Sequence, residues 1–227
     1  MVTAGPGAVL ARGAGWLVAG AAVVAASLLL TDASTALYLA VDRSGLKLPY
    51  GAADTLLILL AVGFLLAAWG LRRVHADRLI LALLVGSSAV AAYLTNEALK
   101  LLIAQQRPCI DLIVDPRCPG PDSWSFPSNH TAIAFALATA TVLVALTRWA
   151  WCAYIAAVAA AASRVIDGVH YPHDVAAGAA VGTCVTACCA LLVGYAVQRR
   201  RRRADEHRTG EAPQLSTDGC PAPPTRD

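Results

Sequence analysis

The chain has 227 residues, of which 57% are hydrophobic and only 15% charged. Soluble domains carry about 25% charged residues, so this composition excludes an ordinary soluble globular protein and points to an all-α integral membrane protein. The formal net charge of +3 is small; where the charges fall matters more than their sum.

A spanning helix needs roughly 20 mainly apolar residues, and six segments qualify. The first runs from about Trp16 to Ala40, interrupted by Thr31-Asp32. Arg12, the apolar run from Trp16 to Leu30 and the small residues Ala33-Ser34-Thr35-Ala36 also fit a signal peptide with its cleavage site. Leu37 to Val41 continues the apolar stretch, which favours a retained span. The second segment covers Ala52 to Leu71, the third Leu79 to Ile103, the fourth His130 to Thr147, the fifth Trp149 to Val169 and the sixth Asp174 to Val197. Small residues dominate the last two, including Gly178-x-x-x-Gly182, which permits close helix contact. The expected architecture is a six-helix transmembrane domain over residues 1–198. A tail over 199–227 follows, first basic, then rich in Pro, Gly, Thr and acidic residues without apolar period and expected to be disordered.

The loops between these segments divide by charge. Arg12, the Arg72 to Arg78 loop, Arg148 and the five consecutive arginines Arg199 to Arg203 fall on one side. The Asp42 to Lys47 loop, the 104–129 loop and the Asp167 to His173 turn fall on the other. The arginine excess predicts a cytoplasmic location for the first side. The arginine run reads as an anchor with affinity for anionic membrane lipids; nothing aromatic or folded accompanies it, so nucleic acid is not expected as a partner. Cys152, Cys184, Cys188 and Cys189 lie within spans and read as small packing residues. Cys109 and Cys118 share the extracytoplasmic loop, where oxidising conditions permit a disulfide, although spacing alone supplies no geometry. The chain has no Cys-x-x-Cys pair and its histidines lack zinc spacing, so no metal site is expected.

Three polar clusters sit at the ends of apolar segments, all on the predicted extracytoplasmic face. Lys100 closes the third segment, with Arg107-Pro108 shortly after it. A lone lysine there is usually a snorkelling anchor, and Glu97 is placed to pair with it. Pro127-Ser128-Asn129-His130 opens the fourth segment. Ser128 suits an N-cap, and helix N-termini bind anions through free N–H groups and the dipole; the bland alternative is a capping turn. Ser163-Arg164 ends the fifth segment, and His170-Tyr171-Pro172-His173-Asp174 leads into the sixth. His170 and Asp174 are four apart, so the carboxylate can hold one ring nitrogen and leave the other free to attack. Asp167 and His173 compete for these two roles. Charges near the bilayer are costly and mark function by default. Three cations facing two imidazoles is a chemistry for holding and attacking a phosphate.

Lys100-x6-Arg107-Pro108, Pro127-Ser128-Asn129-His130 and Ser163-Arg164-x5-His170-x3-Asp174 closely resemble, in order, the three signature motifs of the type 2 phosphatidic acid phosphatase (PAP2) superfamily. The resemblance covers roughly Leu79 to Val197. It implies a PAP2/haloperoxidase-like helical core and a phosphohistidine mechanism without cofactor or metal. It further implies that His170 is the nucleophile, Asp174 its activator and His130 the acid for the leaving group. Lys100, Arg107, Ser128, Asn129 and Arg164 would then surround the phosphate. The commoner family motif has Gly at the place of Asn129. The sequence Phe126 to Thr131 differs from that of bacitracin-resistance undecaprenyl-diphosphate phosphatases only there, where they carry Asp.

The resemblance therefore implies a membrane phosphatase acting on a lipid-linked phosphate or diphosphate at the outer leaflet, with undecaprenyl or decaprenyl diphosphate first. Phosphatidate, phosphatidylglycerol phosphate or a prenyl-phospho-sugar phosphate come second. A haloperoxidase on a related scaffold and a non-enzymatic lipid transporter are the readings from other classes.

Overall fold

The structure, a computed structural model, describes residues 6–210 except 50, 73–75, 114, 116–117, 121 and 146. Among the described residues every regular element is helical. In chain order these are α1 (Pro6–Leu29), α2 (Thr31–Arg43), α3 (Ala52–Arg72), α4 (Ala76–Gly86), α5 (Ser88–Ile103), α6 (Pro108–Asp111), α7 (Asn129–Ala145), a 3-10 turn (Arg148–Trp151), α8 (Cys152–Ile166) and α9 (Pro172–Gly210).

Among the described residues, five stretches are long and apolar enough to cross a membrane: Pro6–Leu29, Ala52–Leu71, Ala82–Asp111, Arg148–Ile166 and Pro172–Arg203. The sixth apolar helix is α7, with 17 residues. The protein is thus a multi-pass helical membrane protein of the expected class, with three differences in its helix boundaries. The first segment does not continue to Ala40. It ends at Leu29, and α2 begins separately with Asp32 in its first turn; one continuous span would carry that carboxylate into hydrocarbon. The third segment is broken at Ser87, whose hydroxyl donates to the Leu84 carbonyl at 2.8 Å, while Ser88 donates to Val85 at 2.6 Å. Hydroxyls that bond back onto preceding carbonyls compete with the helical ladder. At the other end, α9 runs on to Gly210, so 204–210 is helical where composition predicts disorder. The rest of the tail, 211–227 with Cys220, lies outside the described residues, as does Arg73 of the basic loop.

Buried positions on α7 include Ala132, Ala134, Ala136, Ala138 and Ala140. A helix apolar on every side belongs inside, and α3, α5, α8 and α9 surround it. Many large side chains on the outer helices point away: Leu101 is 79% exposed and Ile155 71%. Such faces suit lipid tails, whereas the small interior lets backbones approach.

The closest approach is between α7 and α9. A Cβ on Gly178 would lie 2.5 Å from the Ser128 carbonyl oxygen, and one on Gly182 would lie 2.2 Å from that of Ala132. The Gly178-x-x-x-Gly182 expectation is realised at this contact. On the other side of α9, Gly20 of α1 abuts Cys184.

The three loops assigned to one face from sequence meet at one end of the molecule. Asp42, Lys47 and Gly51, then Cys109 and Cys118, then Asp167 to Val169 all line one cavity. Cys109 and Cys118 form a disulfide with Cα atoms 5.7 Å apart.

Candidate active site

His170 lies in the turn between α8 and α9, 2% exposed. Its Nδ1 is 3.3 Å from Asp174 Oδ2, across the first turn of α9. Its Nε2 is 3.1 Å from Nη1 of Arg107. A guanidinium can only donate, so Nε2 accepts and Nδ1 carries the proton toward the carboxylate. The nitrogen with the lone pair therefore faces the cation. Asp174 is fully buried, and its Oδ2 also accepts the Tyr171 N–H at 2.8 Å and the Ser125 hydroxyl.

Arg107 is held from several sides. Its Nε donates to Ser123 O at 2.8 Å, its Nη2 to Ser123 Oγ at 3.0 Å, and its Nη1 to Val169 O at 3.0 Å. A guanidinium so fixed supplies directed donors at no further ordering cost. Burial, and after it Arg107, Arg164, Lys100 and His130 in that order, push the His170 ring well below its ordinary imidazole value. The groups singled out from sequence thus surround one imidazole. Three cations gathered on a buried neutral ring are mutually repulsive, an arrangement that an anion would relieve.

The site opens on two sides. One cavity of about 520 Å³ is lined by His130, Arg164, Asp54, Asp167 and Tyr38. A second cleft of about 570 Å³ is lined by Lys100, Glu97, Asn129, Ser123 and Trp124. Arg107 connects them, since it donates to Ser123 in the wall of the second and to Val169 in the wall of the first. Phosphate in contact with Arg107 would lie between the two openings.

The other expected residues divide. Lys100 is buried and, as its spacing allows, 3.4 Å from Glu97. Ser128 immediately precedes α7 and is fully buried; its N–H donates to Asp174 O at 3.1 Å, and its hydroxyl accepts from Thr131 at 3.2 Å. The motif before α7 is therefore tied by backbone to the carboxylate that opens α9. Asn129 turns its amide toward Glu97, at 2.6 Å, in the second cleft. Arg164 is 3.8 Å from Asp167, which gives that carboxylate a place beside a cation rather than beside His170. His173 also reaches the carboxylate, its Nε2 3.2 Å from Asp174 Oδ1, but neither ring nitrogen is left for substrate: Nδ1 is engaged with Ser34 at 2.8 Å and Nε2 with Gln105.

Three polar partners were not legible in advance. Ser125 gives no pattern beyond lying next to Phe126-Pro127, and Ser123 is equally plain. Asp54 carried a signal: a lone carboxylate in the first turn of an otherwise apolar helix is costly in a membrane and asks for a partner. It finds His130, whose Nε2 is 2.7 Å from Asp54 Oδ1.

Against known proteins, the model of the PAP2 superfamily matches residues 79–198. An undecaprenyl-diphosphatase of Sulfolobus acidocaldarius is 36% identical over 103 residues, 44% of this chain and 48% of that protein. A decaprenylphosphoryl-5-phosphoribose phosphatase of Mycobacterium tuberculosis is 36% identical over 128 residues, 53% of this chain and 66% of that protein. The chain thus spans about half to two thirds of the length of these curated relatives. Among solved structures, a transmembrane PAP2-type phosphatidylglycerolphosphate phosphatase from Bacillus subtilis superposes with a TM-score of 0.55 at 20% identity, covering 89% of this chain and 98% of that one.

Proposed function

The chain belongs to the PAP2 superfamily, and from the geometry of its site we propose that it is a membrane phosphatase that removes phosphate from a lipid-linked phosphate or diphosphate. The observation that carries this reading is His170, held between the Asp174 carboxylate on one nitrogen and the Arg107 guanidinium on the other. Nε2 attacks phosphorus, Asp174 stabilises the imidazolium that forms, and Arg107, Arg164 and Lys100 neutralise the equatorial oxygens. His130 protonates the leaving group. Ser128 and Asn129 complete the phosphate site at the start of α7. Fixed protein cations supply the charge neutralisation, so turnover proceeds without added divalent metal.

The preferred substrate is a polyprenyl diphosphate. The setting of His130 in Phe126 to Thr131 and the similarity to an undecaprenyl-diphosphatase support it. A prenyl-linked sugar phosphate is the second reading, because the alignment to the decaprenylphosphoryl-5-phosphoribose phosphatase is the longer of the two and covers 53% of this chain. The arginine asymmetry supports an extracytoplasmic site and a cytoplasmic C-terminal tail.

The test is phosphate release by the purified full chain in detergent, across polyprenyl diphosphate, polyprenyl phosphate, phosphatidate and phosphatidylglycerol phosphate, with EDTA present. Release from at least one of them, inhibition by vanadate, and loss of both turnover and acid-labile phosphoenzyme in His170→Ala are expected. Full activity in His170→Ala would overturn the mechanism. Absence of release from every substrate would favour a lipid transporter.

A further inference from the structure

Asp54 lies outside the matched stretch 79–198, in the first turn of α3, yet its Oδ1 is 2.7 Å from Nε2 of His130. A carboxylate only accepts, so Nε2 carries a proton and donates it. Nδ1 is then the nitrogen left to serve a substrate. The charges that face this ring from other elements are Arg164 on α8, Arg107 ahead of α6 and Asp54 on α3. Asp167, from the turn after α8, lines the same cavity. Asp54 is the charge among these that is hydrogen-bonded to the ring, and a carboxylate bonded to an imidazole favours its second proton.

We propose that Asp54 is a positioning residue for the acid that protonates the leaving group. It orients His130 through Nε2, favours the doubly protonated form from which the acid acts, and so matters most for substrates whose leaving group is an alcohol. This rests on the phosphatase reading above. As the bond from His170 Nε2 to phosphorus forms and the bond from phosphorus to the leaving oxygen breaks, the Nδ1 proton of His130 passes to that oxygen. His130 remains neutral, its Nε2–H still donated to Asp54. In the second half, Nδ1 takes a proton from the water whose oxygen bonds to phosphorus as the phosphorus–nitrogen bond breaks. Both histidines return to their starting forms. An alkoxide needs that proton; a phosphate or nitrophenolate leaving group scarcely does.

The bland role for Asp54 is an acidic residue complementing the α3 dipole. Such a role is blind to the leaving group. The experiment compares full-length wild type, Asp54→Asn, Asp54→Glu and His130→Ala/Asp54→Asn in detergent, with phosphatidate as the alkyl ester and p-nitrophenyl phosphate as the ester with a good leaving group. General-acid catalysis contributes about 10²–10⁴-fold. Asp54→Asn should therefore lower kcat/KM by about 10–100-fold on phosphatidate and by less than about 3-fold on the nitrophenyl ester. The basic limb of its pH profile should move toward acid, and adding it to His130→Ala should cost nothing more. Asp54→Glu keeps the helix-end charge and is the variant to rely on if Asp54→Asn does not fold. It should show the same dependence on leaving group, in smaller degree.

Equal losses on both esters with an unmoved pH profile, in either variant, would overturn the proposal and leave Asp54 a helix-end charge. Wild type inactive on both esters and on polyprenyl diphosphate as well would overturn the phosphatase reading itself, whereas an active wild type with unaltered Asp54 variants removes only this inference.

Discussion

Nη1 of Arg107 lies 3.1 Å from Nε2 of His170, and the same guanidinium nitrogen donates to the Val169 carbonyl at 3.0 Å. One cation thus fixes both the backbone leading into His170 and the ring nitrogen that carries its lone pair. On the proposed mechanism, substrate phosphate would take over the bond that His170 now accepts, with Arg107 already aimed at it.

Arg107→Lys should therefore be far from conservative. An ammonium keeps the charge but cannot hold Ser123 and Val169 while also facing Nε2. Loss of one preorganised donor at developing charge costs about 10²–10³ in rate, and kcat/KM should fall by that amount. Steady-state phosphate release measures it; a loss under about 5-fold would mean that charge alone is what Arg107 supplies.

The pH dependence has a definite sign. Burial first, and Arg107 next, hold His170 neutral to well below the ordinary imidazole value of 6.5. With the neutral ring as the proposed nucleophile, kcat/KM should show no loss attributable to His170 as pH falls through 6.5. The same shift acts on stability. Below 6.5 the unfolded chain takes up a proton that the folded site refuses, so this residue's contribution to stability is complete above 6.5 and declines as pH falls beneath it. An acid limb near 6.5 that vanished with His170 would contradict the assignment.

Ser125 donates its hydroxyl to Asp174 Oδ2, a carboxylate with no exposure to water. Ser125→Ala leaves that oxygen with the Tyr171 N–H and the more distant His170. Removing a partner from a buried charged group costs about 1–3 kcal/mol. Thermal unfolding should reveal that loss, and kcat should fall by about 10-fold as the carboxylate loses its fixed orientation. A variant with unchanged melting and turnover would show that the hydroxyl merely fills space.

Much of this site was readable because its members recur at spacings that chemistry constrains. His170 and Asp174 are one helical turn apart, and the turn is formed by α9 itself. Lys100, Arg107 and Arg164 stood out as charges beside apolar runs. Their common face was readable from the loop charges and their convergence from the motif resemblance; the contacts that achieve it were not, since they depend on how α5, α7, α8 and α9 pack. Ser125 was invisible because a serine in a polar loop has no period. Asp54 was visible only as an anomaly, its partner lying 76 residues away. Helix boundaries failed where apolarity misled: Thr31-Asp32 ends a span rather than indenting one, and the Ser87-Ser88 pair splits the third.

Topology is testable through Cys109. The arginine asymmetry predicts the 104–129 loop outside the cell and Arg199 to Arg203 inside. After reduction of the Cys109–Cys118 disulfide, an impermeant maleimide should label both cysteines in intact cells, while a cysteine introduced at Arg202 should react only after lysis. Reversed labelling would put the site on the wrong leaflet for a lipid presented outside.

The last prediction concerns what joins the clusters. Gly182 sits against the Ala132 backbone so closely that a Cβ would lie 2.2 Å from its carbonyl oxygen. No side chain can rotate out of the way, because the obstruction is main chain on the central helix. Gly182→Ala must therefore push α9 away from α7, at a cost of about 1–3 kcal/mol for overpacking. The displacement would not stay local. Ser128 N–H donates to the Asp174 carbonyl, so the same motion separates the start of α7, which carries His130, from the start of α9, which carries Asp174. Activity should drop more than stability: about 10²-fold in kcat/KM, in line with the cost of misplacing catalytic groups by about 1 Å, with the helical content by circular dichroism unchanged. Gly194, where an added Cβ meets nothing within 4 Å, is the control on the same helix, and Gly194→Ala should leave both activity and melting temperature alone. Equal tolerance at the two positions would mean that the α7–α9 contact does not hold the site together.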